Sequence, residues 1–168
     1  MDTDSIIQLI SIVILLILSG FFSSAETSFI SVNKIKLLPL AQEGNRRAQM
    51  VIDIIDQPAK MLSAVLIGNN IVNIGASSLA TVLFTRLVGG VYGPTVSTIV
   101  MTLLVLAFGE ITPKSMAKEM PETMAMAFAP VLSALVTIFT PLTALSGAWK
   151  TFLAKRVVTG AMDTITEG

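Results

Sequence analysis

At 168 residues, 53% hydrophobic, 13% charged and with a formal net charge of +0, the chain lies outside the composition of soluble domains and reads as an integral membrane protein. It contains no cysteine and no histidine, which excludes disulfides, thiolate or imidazole metal sites and histidine-based catalysis, so any metal site has to be built from oxygen. Its basic residues cluster too weakly for a nucleic-acid footprint.

The chain opens on MDTDS, acidic ahead of an apolar run, where a secretory signal would carry a basic region and a small-residue cleavage site. Residues 6–28 are therefore expected to form a retained first helix. Four stretches carry no charge, 5–25, 61–85, 87–109 and 123–149, and each can cross the hydrocarbon. Lys34, Lys36, Arg46, Arg47 and Lys60 follow the first stretch whereas Asp2 and Asp4 precede it, so the positive-inside rule places the N-terminus outside. Residues 33–57 predict a cytoplasmic hairpin of two short helices: Gly44 ends the first, Asn45 caps the second, and Met50, Val51, Ile54 and Ile55 share one face. Such an amphipathic hairpin rests on the membrane or on a neighbour.

The second span, 61–86, then runs outward; LVGGVYGPT makes an external turn, and the third span, 93–111, returns inside at Lys114 and Lys118. Pro130 and Pro141 interrupt the fourth stretch, and Lys150, Lys155 and Arg156 follow it. It is read as a broken juxtamembrane belt over 121–157 that enters the inner leaflet without crossing, the alternative being an ordinary fourth span. The expected fold is thus all-α, with three transmembrane helices, a cytoplasmic helical hairpin and a broken juxtamembrane belt helix in one membrane domain over 1–157. The C-terminus is placed in the cytoplasm and the protein in the plasma membrane, or the inner membrane of a Gram-negative cell.

Polar side chains within these spans single out one face on each helix. Ser19 and Ser23 lie four apart on the first, Asn69 and Asn73 four apart on the second, and Glu110 ends the third in the sequence FGEITPK. Pro113 has no N–H, so the carbonyl four residues back, that of Gly109, is expected to lose its partner. An unpaired carbonyl at membrane depth is tolerated only against protein or a polar cavity. Two hydroxyls, two amide oxygens, a carbonyl and a carboxylate can form a six-oxygen shell, a donor set suited to Mg2+, with Mn2+ or Ca2+ as competitors. Against this stands the packing reading, in which serines let helices approach and asparagines hydrogen-bond between them. Glu26 is expected to make a structural hydrogen bond or to line an access route, and the nine methionines to fill irregular packing. No nucleophile is paired with a base, so no enzyme is expected.

Three motifs in order, LSGFFSSAETSFISV (18–32), LIGNNIVNI (66–74) and GEITPKSMA (109–117), resemble the membrane domain of the CorB/CorC and cyclin M family of magnesium transporters. The resemblance covers nearly the whole chain. It implies a homodimer with three crossing helices and a juxtamembrane belt per protomer, a dehydrated Mg2+ as the transported ion, and coupling to Na+, here as efflux. Carried over by motif, the ion's ligands fall on Ser19, Ser23, Asn69, Asn73, Gly109 and Glu110, with Pro113 beside them. It also implies cytosolic nucleotide-binding modules of the cystathionine-β-synthase type after the belt; residues 158–168 read as the start of a linker to modules absent from this sequence. The alternative is a membrane anchor or Mg2+ sensor whose polar helix faces only pack and dimerise.

Overall fold

The structure, a computed structural model, describes residues 3–141. The described residues are helical apart from short connections, with no strand among them. Helix α1 is Thr3–Ser31, α2 Lys34–Gln42, α3 Arg46–Ile55, α4 Pro58–Val88 and α5 Gly93–Leu104; a π-helical segment, Val105–Ile111, joins α5 to α6, Thr112–Glu119, and α7 is Pro121–Pro141. Much of α1 is β-branched, a composition that favours strands in water. In hydrocarbon each backbone polar group has to be satisfied within its own segment, and that requirement selects the helix.

Two short capped helices, α2 and α3, occupy the stretch between the first two long ones. Asn33 accepts from the N–H of Ile35 to cap α2, and Asn45 accepts from those of Arg47 and Ala48 to cap α3. Gly44, at φ +92°, makes the left-handed turn between them. Ala48, Val51, Ile52 and Ile54 of α3 are buried against α1, α4 and α7 in a core that also holds Phe22, Phe29, Leu37, Met61, Val65, Ala129 and Leu132. A second, smaller core, with Ile12, Ala76, Ala80, Leu83 and Met101, joins α1, α4 and α5 nearer the α4–α5 turn.

Helix α1 is central, packed on α4 along one side and on the π segment and α6 along another. The α1–α4 contact is close because Phe22 lies on Gly68, where an added Cβ would collide with the ring. At the turn end Arg86 lies 3.9 Å from Asp4, and at the hairpin end Lys36 pairs with Glu122 at 2.9 Å.

Two expectations change. The third helix continues past its expected end at residue 111, running without a break over Gly93–Glu119. The fourth apolar stretch is one helix over Pro121–Pro141, unbroken at Pro130, and by length and composition four helices, this one included, can cross a membrane, as the four uncharged stretches imply. A mid-helix proline removes one backbone bond and crowds the carbonyl four residues back, a cost that packing has to offset if the helix is to continue. Exposed Pro130 follows buried Ala125 and Ala129, whose packing, with Leu132 and an edge-to-face contact of Phe128 on Phe21 at 5.0 Å, holds the helix together. The part of the expected belt beyond residue 141, and residues 158–168, lie outside the described residues.

Gly68→Ala is expected to lower stability by about 1–3 kcal/mol, because the methyl group displaces Phe22 from a close-packed contact. Gly90→Ala, with open space around it, is the neutral comparison, and thermal unfolding of both variants in detergent decides the point.

Candidate functional site

The site begins with a change of helical register. The N–H of Thr112 donates to the carbonyl of Ala107, five residues back, so the chain enters α6 from a π register. In that register the donor that Pro113 lacks would have met Phe108, not Gly109. The freed carbonyl is therefore that of Phe108, one residue earlier than an α-helical count gives. The structure aims it at α1: its oxygen lies 3.2 Å from where a Cβ on Gly20 would stand, and the Pro113 ring 3.3 Å from the same point. Ser24 of α1 donates to the carbonyl of Pro113 at 3.3 Å.

Gly109 keeps its place for a steric reason. A Cβ there would lie 2.7 Å from the Ser19 hydroxyl, so only glycine lets the π segment approach α1 at this level. Ser19 in turn donates to the side-chain oxygen of Asn69 at 3.3 Å, and the amide of Asn73 donates to that same oxygen at 3.2 Å. One residue of the first helix, two of the second long helix and a glycine of the third are thereby brought together.

The cluster is short of donors. Ser23 is buried and its hydroxyl has no hydrogen-bond partner, and the side-chain oxygen of Asn73 is likewise buried and unpartnered. A buried polar atom left unpaired costs about 1–3 kcal/mol, a cost that a bound water or a cation would remove at both positions. Glu110, next to Gly109 and partly buried, makes no hydrogen bond or ion pair among the described residues. The nearby cation is taken elsewhere: Lys114 pairs with Glu26 of α1 at 3.2 Å. No three acidic side chains gather among the described residues, so a cation here would meet one carboxylate and several neutral oxygens.

The structure thus joins Ser19, Asn69, Asn73 and Gly109 by direct contact and sets unpartnered Ser23 and Glu110 on the same two helices. Sequence reasoning gave Glu26 only a general role and did not foresee its pairing with Lys114, nor the contact of Gly20 with Pro113. The LSG and SSAE sequences around the chosen serines, whose neighbours share helix faces with GEITP, carried the only signal for either.

Residues 10–166 match the cyclin M transmembrane N-terminal domain family. A UPF0053 protein of Haemophilus influenzae is 39% identical over 133 residues, which cover 79% of this chain and 31% of the relative. The UPF0053 inner membrane protein YfjD of Escherichia coli is 39% identical over 125 residues, 74% of this chain and 29% of the relative. A polyamine export protein of Haemophilus influenzae is 32% identical over 146 residues, 80% of this chain and 34% of the relative. The chain therefore spans about a third of the length of these relatives.

Pro113→Ala restores the missing donor and removes the reason for the register shift. It is expected to leave the helix intact and to weaken any cation-dependent stabilisation by roughly 10-fold in apparent affinity, since a misplacement of about 1 Å in a supporting shell is enough to loosen a site. Circular dichroism paired with cation titration of melting temperature separates the two effects.

Proposed function

The chain belongs to the cyclin M transmembrane-domain family, and from that premise we propose that it carries Mg2+ across the membrane through a site held by Ser19, Ser23, Asn69, Asn73, Gly109 and Glu110. The observation that carries this reading is the pair of buried, unpartnered oxygens, on Ser23 and Asn73, in a cluster whose nearest positive side chain is already engaged by Glu26. Hydroxyl and amide oxygens replace the water of a hard divalent cation, and Glu110 supplies charge. With a single carboxylate the ion is held loosely enough to leave, as conduction requires. Movement of α1 against the other helices then exposes the site to either side in turn, with Na+ supplying the coupling gradient and a second protomer completing a homodimer.

A polyamine is a second reading, favoured by the similarity to a polyamine export protein. Its ammonium groups would donate to the same acceptor oxygens. The tight contact of Ser19 with Gly109 supports the bare ion over a long organic cation.

Melting temperature in detergent is the test, measured against Mg2+, Ca2+ and spermidine. A ligand at 100 times its dissociation constant stabilises the folded state by about 2.7 kcal/mol. Mg2+ is expected to give such a rise in the wild type, and Glu110→Gln to abolish it while leaving the unliganded melting temperature unchanged within a few degrees. A rise with spermidine alone favours the polyamine. No rise with any cation returns the cluster to a packing role, as in a membrane anchor.

A further inference from the structure

Helix α4 continues the spacing of its asparagines beyond the cluster, since Asn69 and Asn73 are followed at the same interval by Ser77 and Thr81. From α5, Ser97, Thr98 and Thr102 come alongside, and between the two helices lies a groove of about 270 Å³. Asn73 is its floor, so one side chain borders both the cluster and the groove. At about 30 Å³ per molecule the volume holds roughly nine waters. The lining carries no charged residue.

The hydroxyl protons in this groove are mostly committed. Thr81 donates to the carbonyl of Ser77 at 2.9 Å, Thr98 to Pro94 at 2.9 Å and Thr102 to Thr98 at 2.7 Å. Their oxygens therefore present lone pairs, an acceptor lining that suits cations and their hydration shells. Buried Ser97 lies 3.4 Å from Thr81 and, with the Thr81 proton engaged, is the donor of that cross-helix bond. Back-bonded threonines alone are compatible with lipid. The Ser77 hydroxyl is not, because it makes no hydrogen bond among the described residues although it sits mid-helix at membrane depth. Water in the groove removes that cost.

We propose that this groove is a water-filled part of the ion path, leading from the level of Thr81 and Ser97 to Asn73 and admitting hydrated cations to the cluster; the inference rests on the transport reading above. Asn73 stands about 22 Å from the end of α4 at the helical rise per residue, and the groove lining from Asn73 to Thr81 covers about 12 Å of that distance.

The absence of cysteine makes the test direct, since a single introduced cysteine is the sole thiol. Ser77→Cys, Thr81→Cys and Thr102→Cys, in the full chain reconstituted in liposomes, are treated with a membrane-impermeant cationic methanethiosulfonate. Only a thiolate reacts, and thiolates form in water, so these positions are expected to be modified at least roughly 10-fold faster than Ile99→Cys and Leu103→Cys on the exposed apolar face of α5. Modification is expected to stop Mg2+ flux. Groove cysteines as slow as Ile99→Cys overturn the proposal, as do disulfides between copies at Ser78→Cys, which show a second copy covering the face. Flux in the unmodified protein reads the transport function separately. Flux with unreactive groove thiols sinks the groove alone, whereas no flux in the wild type removes both.

Discussion

The chain's arrangement depends on the accounting of backbone hydrogen bonds where water is absent. Each carbonyl in hydrocarbon needs a donor, and Pro113 withdraws one at the level of the polar cluster. The helix does not break; it widens to a π register over Val105–Ile111 and turns the freed oxygen of Phe108 toward α1. That face of α1 is built to receive it, with Gly20 giving room and Ser24 donating to the next available carbonyl, that of Pro113. The contact between α1 and the third helix, and with it the position of Gly109 against Ser19, follows from one missing N–H.

Two kinds of close approach then set the cluster's dimensions. Gly109 brings the π segment to Ser19, and Gly68 brings α4 to Phe22 one turn further along α1. Because both contacts lie on the central helix, α1 fixes the separation of Asn69 and Gly109 from either side. The hairpin and α7 support it from the same end, where Phe21 meets Phe128 and the core of Phe22, Val51 and Leu132 excludes water. Packing of this density resists small adjustments, so a displacement of α1 carries both contacts with it.

How much of this was legible in the sequence depended on the range of the signal. The caps at Asn33 and Asn45 act within three residues, and the asparagine and serine pairs act within one turn, so local spacing sufficed for the hairpin and for the shared polar faces. The partner of Lys114 is Glu26, on another helix, and no local pattern specifies that choice. Register was also beyond reach: a proline tells that a bond is lost, but whether Gly109 or Phe108 loses it depends on how the preceding turn packs. Pro130 shows the same limit in reverse, because the continuity of α7 comes from Ala125, Ala129 and Leu132 packing on other helices.

The Glu26–Lys114 pair bears on charge as well as on packing. Lys114 lies one helical turn beyond Glu110, close enough to neutralise it had α1 carried no acid at this level. By engaging Lys114, Glu26 leaves the Glu110 carboxylate without a fixed counter-charge next to oxygens that lack donors. A carboxylate partly withdrawn from water and uncompensated attracts a cation more strongly than one already paired. Glu26 of α1 thus pairs with Lys114 of α6, while Glu110, one turn before Lys114, keeps no hydrogen-bond or ion-pair partner among the described residues.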